Sequence, residues 1–350
     1  MAIIYIVLAV YPLHQSMWLE PISPILIPDA GFSSSEQPKG GNGVLRAFAN
    51  ARAFGYYLDS GYVTFMSAMR PALAIDENHI MEMDEQSDTM FLRDAVGLSR
   101  MKIPITGYPY IAEKRLFILR QDQQASTEID REGRLLWSRE FGTPITSSSI
   151  SGNISAWGLL DGSIKIIGNK GSSVGELRPA DYTIDSKYPC IYSVATSPNG
   201  ECIATLYGLE DQYFLVFTKK SGTYELVYKK KLAESVITSE TAAFSGDGSC
   251  AIARTADGLV YYDVQKKAGK IIQNRYFGGD TVALKILPLG TDAFVFLLAN
   301  RQERFAGILK RGAIEALFPV GQDAAGIATY ADILAISNSS SISRYRIKGK

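Results

Sequence analysis

Two histidines and three cysteines narrow the chemistry open to this chain of 350 residues. His79 lies in Asp76-Glu77-Asn78-His79, which reads as an exposed turn, and His14 borders a Pro/Ser/Gly-rich stretch. Neither suits the base of a Ser-His-Asp or Cys-His arrangement, and zinc sites of the Cys/His kind lack ligands. Cys190, Cys202 and Cys250 are odd in number, show no CxxC spacing and fall at or near predicted strands. They read as small buried apolar residues, not as a disulfide framework or reactive thiols. Carboxylates are more plentiful, and the acidic run Glu82, Asp84, Glu85 and Asp88 could serve sugar cleavage or calcium binding. It lacks the spacing of a calcium loop, and the alternation in Ile80-Met81-Glu82-Met83-Asp84 predicts a strand with Glu82 and Asp84 on one solvated face.

The remaining candidates are weaker. Gly40-Gly41-Asn42-Gly43 and Gly278-Gly279-Asp280 have no following Lys-Ser/Thr and no strand-loop-helix context for phosphate. Lys229-Lys230-Lys231 follows the aromatic stretch Tyr224 to Tyr228, a composition that can stack on single-stranded nucleic acid. Lys plus Arg equals Asp plus Glu at 36 each, however, so no long-range field favours phosphate backbones, and the triplet reads as the solvated end of an outer strand. Tyrosines come in pairs, Tyr56-Tyr57, Tyr108 with Tyr110, and Tyr261-Tyr262, so that one member can be core and the other exposed. The expectation is no catalytic, cofactor-binding or metal-binding residue and no cofactor.

What positions these residues is a succession of short strands. From residue 44 onward, runs of Val, Ile, Leu, Phe and Tyr are broken every eight to twelve residues by turn dipeptides. Asp161-Gly162, Asn199-Gly200, Asp247-Gly248 and Asp257-Gly258 are the clearest hairpin signals. Ala195-Thr196-Ser197-Pro198-Asn199-Gly200-Glu201-Cys202 repeats as Ala243-Phe244-Ser245-Gly246-Asp247-Gly248-Ser249-Cys250, 48 positions later. A charged turn before a closing strand recurs at Asp130 to Gly133, Asn169 to Gly171, Lys220 to Gly222, Lys266 to Gly269 and Lys310 to Gly312. Such intervals suit one four-stranded unit each.

The Ser197 to Gly200 turn and the run Asp130 to Trp137 resemble the WD-repeat and quinoprotein-like β-propeller superfamilies over roughly residues 52 to 348. There is no Trp-Asp dipeptide and no Gly-His, so the likeness is one of fold. It implies an all-β propeller of six or seven four-stranded blades, seven favoured, with blades near 52–105, 107–142, 145–179, 189–233, 238–275, 281–320 and 324–348. The last blade then holds three strands, and a strand from about Val44 to Leu58 is expected to complete it.

Ahead of the propeller (44–350), residues 1–14 hold an apolar run, Ala2 to Val10, too short to span a bilayer. It reads either as the start of an export signal or signal anchor, or as a buried strand. Residues 15–43, rich in Pro, Ser and Gly, read as a tether, with Trp18 where an interfacial anchor would sit. Together these predict a non-catalytic propeller that binds a protein partner, with no nucleic-acid role, tethered at a membrane on its extracytoplasmic side; a cytoplasmic site is the alternative. The competing reading is a carboxylate-based propeller hydrolase or carbohydrate-binding module. A quinoprotein relative would need channel tryptophans, and only Trp137 and Trp157 lie within the repeats.

Overall fold

The computed structural model describes residues 19–27, 43–50, 52–84, 89–95, 100–235, 241–256, 258–273, 282–299, 303–324 and 326–348. These residues form eight antiparallel sheets arranged as the blades of one propeller. Blade one is β2 (Leu45–Ala49), β3 (Ala53–Leu58) and β4 (Val63–Ala68). Blade two is β5 (Leu73–Ile75), β6 (His79–Asp84), β7 (Thr89–Asp94) and β8 (Arg100–Ile103). Blade three is β9 (Tyr108–Ala112), β10 (Arg115–Leu119), β11 (Ala125–Ile129) and β12 (Leu135–Glu140). Blade four is β13 (Ile145–Ser151), β14 (Ile154–Leu159), β15 (Ile164–Gly168) and β16 (Ser173–Leu177), followed by a short 3-10 turn at Pro179–Tyr182. Blade five is β17 (Ile191–Thr196), β18 (Cys202–Tyr207), β19 (Tyr213–Lys220) and β20 (Thr223–Lys231). Blade six is β21 (Ala242–Phe244), β22 (Cys250–Thr255), β23 (Gly258–Asp263) and β24 (Ala268–Gln273). Blade seven is β25 (Val282–Pro288), β26 (Ala293–Ala299), β27 (Arg304–Lys310) and β28 (Ala313–Val320). Blade eight is β29 (Gly326–Tyr330), β30 (Ile333–Ser337) and β31 (Ser341–Ile347), with β1 (Leu19–Leu26) paired to β31 as its outermost strand.

Each blade is sandwiched between two others, which explains the continuous apolar runs. Every residue of β14, β18 and β22 is buried, because such a strand meets a neighbouring blade on both sides of its sheet. Tyr56 and Tyr57 are both buried for the same reason: they point to opposite faces, one toward Ile80 of blade two and the other toward Ala335 and Ile342 of blade eight. A large side chain truncated to Ala in such a layer costs about 2–5 kcal/mol.

The innermost strands of blades four, five and six are stitched by hydroxyls. Ser147 Oγ accepts from the Val194 amide at 2.9 Å, Ser149 Oγ from the Thr196 amide at 3.0 Å, and Ser193 Oγ from the Ala242 amide at 3.0 Å. Ser151 Oγ donates to the Ser197 carbonyl at 2.7 Å. Backbone groups that no ladder reaches are thereby satisfied across the gap between sheets.

The turn motifs define one face of the disc, called here the turn face, which carries the first-to-second and third-to-fourth strand turns. The 48-residue repeat is the former turn in blades five and six: Ser197 Oγ and Ser245 Oγ each accept the amide of Cys202 and Cys250, at 2.8 and 3.0 Å. The five charged turns are the latter turn in blades three to seven. They need left-handed backbone, supplied by Gly133, Gly171, Ser221-Gly222, Lys267 and Arg311-Gly312. The opposite, loop face carries the second-to-third strand turns and the connections between blades.

Several expectations are corrected. The ring has eight blades, not six or seven: the stretch 52–105, read as one blade, spans blade one and blade two. The last blade is closed by β1, eight residues within the segment read as a linker, and not by residues 44–58, which form β2 and β3 of blade one. Pro21 and Pro24 are tolerated in β1 because it pairs on one side only, with a register shift between Ile22 and Ile25. Gly258 is not a turn residue but the first residue of β23, paired with Thr255, and a Cβ there would lie 2.1 Å from the Ile272 carbonyl. Residues 1–18, 28–42, Asp257 and Gly278 to Asp280 lie outside the described residues, as do Glu85 and Asp88.

Candidate functional site

Blade one departs from the pattern of its neighbours in a way that shapes the central channel. Its first residues lie at the turn face, where the Arg46 guanidinium stacks 4.2 Å from the Tyr330 ring centroid at the end of β29. Its first turn lies at the loop face, where Asn50 Nδ2 donates to the Asn338 carbonyl at 2.9 Å. β2 therefore runs against the innermost strands of the other blades and occupies a second-strand position. Among the described residues no strand lies inside it. A cavity of about 330 Å³ fills this place, lined by Ala47, Phe48 and Ala49 of β2, Gly326 to Ala328 of β29, and Ile75, Asp76 and Glu77 of blade two, with Lys285 of blade seven.

Asp76 is the most engaged carboxylate of this cavity. Its Oδ1 accepts the amides of Asn78 and His79 at 2.8 and 2.7 Å, closing the turn between β5 and β6. His79 is not in an exposed turn: it is the buried first residue of β6, with Nδ1 at 3.4 Å from Asp76 Oδ1. The Tyr56 hydroxyl is buried without a hydrogen-bond partner, and burial first, then the charges of Asp76, Glu77 and Asp94, push its phenol upward. Asp76 and Glu77 are adjacent on this turn, and both line the cavity.

Glu82 was expected on a solvated face and is buried instead, 1% exposed, between Arg70 at 3.4 Å and Arg93. Alternation placed its side chain correctly on one face of β6; what the sequence did not show is that the face meets two arginines. A similar pair occurs in blade three, where Arg115 holds Glu128 through two bonds of 2.8 and 2.7 Å.

A larger cleft, about 490 Å³, opens on the turn face between blades six and seven, lined among others by Asp247, Asp263, Lys266, Asp292 and Arg311. It holds two ion pairs, Lys266 with Asp263 at 2.9 Å and Arg311 with Asp292 at 2.5 Å, while Asp247 accepts the hydroxyls of Ser245 and Ser249 and Lys270 lies over the Tyr261 ring. At its floor Cys250 Sγ lies 2.8 Å from the Tyr261 hydroxyl. The three cysteines are buried and free, and burial raises the thiols of Cys190 and Cys202, away from the reactive thiolate. Trp137 and Trp157 pack on Phe117 in the layer between blades three and four. Lys229 to Lys231 are exposed at the end of β20, the outermost strand of blade five. Among the described residues no group of three His, Cys, Asp or Glu side chains could hold a metal ion, and no helix is long and apolar enough to cross a membrane.

A ring of seven four-stranded sheets and one three-stranded sheet among the described residues, with its last sheet closed by an N-terminal strand, defines a β-propeller. The chain belongs to the family described as beta-propeller protein, whose model matches residues 1–311. Among solved structures it is similar to BamB from Moraxella catarrhalis, with a TM-score of 0.60 and 12% identity over 94% of this chain and 99% of that one. It is also similar to Sqt1 from Chaetomium thermophilum bound to the N-terminus of the ribosomal protein L10, with a TM-score of 0.60 and 13% identity over 87% of this chain and 92% of that one. A computationally designed protein, Ika8, gives a TM-score of 0.62 at 12% identity over 89% and 98%. At such identities the likeness is one of fold, which agrees with the propeller resemblance of the repeated turns. No curated protein matches by sequence.

Proposed function

We propose that this chain is a non-catalytic interaction scaffold, held at a membrane on the extracytoplasmic side through its N-terminus, that offers its loop face to a protein partner. The observation that carries the reading is the division of labour between the two faces. β1 begins at Leu19, paired with Ile347, so the described chain enters the propeller at the turn face. On the loop face, Leu160 and Tyr188 are 49% and 47% exposed. The blade-four turn that carries Leu160 packs on the connection to blade five that carries Tyr188, where a Cβ at Gly162 would lie 2.9 Å from Pro189. Tyr108, 45% exposed, lies on the same face at the start of β9. Exposed tyrosines on a rigid scaffold are common anchors of protein interfaces. Sqt1, a propeller of similar fold, is described bound to the N-terminus of another protein, which gives the arrangement a precedent.

The test is capture from native membranes with the full chain and with the variant Leu160→Glu/Tyr188→Glu. The expected result is a stoichiometric partner held by the parent chain and lost by the variant, with unchanged thermal unfolding. A partner held equally by both, or none held by the parent chain, overturns the reading.

A further inference from the structure

The outermost strands of blades three and four share an irregularity that leaves apolar side chains in water. The pairing of β11 with β12 slips between Glu128 and Ile129, which makes Leu136 the extra residue. The pairing of β15 with β16 slips between Ile166 and Ile167, which makes Val174 the extra residue. A bulge takes its extra residue out of the strand's alternation and re-aims the side chain. Leu136 is 54% exposed, its neighbour Leu135 59%, and Val174 38%. The bulge residues at the same place in blades five and seven, Val227 and Glu315, are half-buried.

The two strands are held side by side. Arg139 Nε donates to the Gly171 carbonyl at 2.6 Å. Trp137 lies so close to Gly171 that a Cβ there would sit 2.6 Å from the Trp137 Cβ. Around the three apolar side chains stand the exposed cations Arg131, Arg134, Arg139 and Lys170. The carboxylates of these strands and turns are Asp130 and Glu132, both engaged by Arg134 at 2.6 and 3.0 Å, Glu140, engaged by Arg120, which also holds Asp122, and Glu176, engaged by Lys165 and Arg178; with those partners counted, seven cations stand against five carboxylates and the patch is net positive. β12 and β16 both begin at the turn face, the face where β1 begins, and blades three and four lie across the ring from blade eight.

We propose that this patch is a second membrane contact, in which Leu135, Leu136 and Val174 enter the interfacial zone of an anionic bilayer while Arg131 and Lys170 meet headgroup phosphates. The propeller then lies turn face down, fixed at two opposite points, and presents its loop face outward. The inference rests on the membrane-tethered reading and adds the surface that orients it. Stable membrane attachment generally takes two signals, and basic residues close to an anionic leaflet add to apolar insertion.

The experiment is co-flotation of the full chain with phosphatidylcholine vesicles and with vesicles that also contain phosphatidylglycerol. Compared with the parent chain are Leu136→Glu/Val174→Glu and the loop-face control Leu160→Glu/Tyr188→Glu. Both pairs are exposed, so equal melting temperatures serve as the folding check. The expected result is a partition into phosphatidylglycerol vesicles that falls about tenfold for the first variant and stays unchanged for the control. Equal partition of patch variant and parent overturns the proposal and leaves the tether intact. Absence of binding by the parent chain overturns both. A lipid-free dimer that the patch variant abolishes would identify a second copy as the occupant and likewise overturn it.

Discussion

Arg344→Ala should loosen the closure of the ring by a measurable and localised amount. The Arg344 guanidinium, 7% exposed, donates from Nε and Nη2 to the Ser23 carbonyl at 3.3 and 2.9 Å and from Nη1 to the Asp59 carbonyl at 2.7 Å. Ser23 lies where β1 and β31 lose register, so its carbonyl depends on the arginine. One side chain thus joins the closing strand to blade one. Bonds from a charged donor are worth about 1.5–3 kcal/mol each net, and because Ser23 and Asp59 are exposed residues whose carbonyls water can reach once the donor is gone, the lower figure applies to each acceptor. The two acceptors set the loss at about 3 kcal/mol, after allowance for the relief of burying a cation. With an unfolding entropy of about 2.1 cal/mol/K per residue, or about 0.7 kcal/mol/K for the chain, the melting temperature should fall by about 4 °C. Arg344→Lys, which cannot grip Ser23 with two nitrogens, should recover less than half. Denaturant midpoints measure the total, and limited proteolysis reports whether the new cleavage falls in residues 19–26. A melting temperature within 1 °C of the parent, about 0.7 kcal/mol, with no added cleavage in β1, would show that Arg344 does not hold the closing strand.

Ser147→Ala should cost about 1–3 kcal/mol, because it orphans the Val194 amide between blades four and five; hydrogen exchange at Val194 should accelerate while amides of blade seven keep their protection. Glu82→Gln should cost about 2–4 kcal/mol, since it leaves Arg93, only 24% exposed, without its counter-charge; a denaturant midpoint equal to the parent's would show the pair to be dispensable. Stability should also fall at both ends of the pH scale. Burial pushes the Tyr224 phenol up to about 12, whereas an unfolded tyrosine ionises near 10; its contribution is therefore complete below about pH 10 and is lost as pH rises toward 12. Asp323 is held below the usual carboxylate range by the hydroxyl and amide of Ser339, so its contribution is present above about pH 4 and lost on further acidification. Urea midpoints across pH 3–12 check both limbs, and a profile flat to pH 12 would contradict the first.

The repeated turns were legible because left-handed backbone demands few residue types. Gly133, Gly171, Gly222 and Gly312 marked the third-to-fourth strand turns of four blades, and the Ser197 and Ser245 octets marked two more turns of the same face. Blade one carries only a left-handed Gly61 in its β3–β4 turn, without the basic residues that marked most of the other turns, and residues 96–99 of the β7–β8 turn lie outside the described residues. β5 is three residues long and blade one begins in a second-strand position, so two blades merged into one and the count fell short. The closing strand was missed because Pro21 and Pro24 read as a tether; an edge strand that pairs on one side accepts prolines that a central strand would reject. Glu82 and His79 were misjudged for a related reason: period-two alternation tells which face a side chain takes, but in a propeller both faces are covered, and the partners of Glu82, Arg70 and Arg93, do not lie at a spacing that pairs in a single strand. The hydroxyls of Ser147 and Ser149 could not be read from the sequence, because their role depends on the next blade, 47 residues away.

Residues 19–26 close an eight-bladed ring on β31. Cysteines placed at the paired positions Glu20 and Arg346 test it directly, since the native cysteines are buried. Oxidation of the folded Glu20→Cys/Arg346→Cys protein should give a 20–346 disulfide in nearly every molecule, identified by peptide mapping, together with a raised unfolding midpoint. Two free thiols at these positions after oxidation, or a midpoint below that of the reduced form, would contradict the closure.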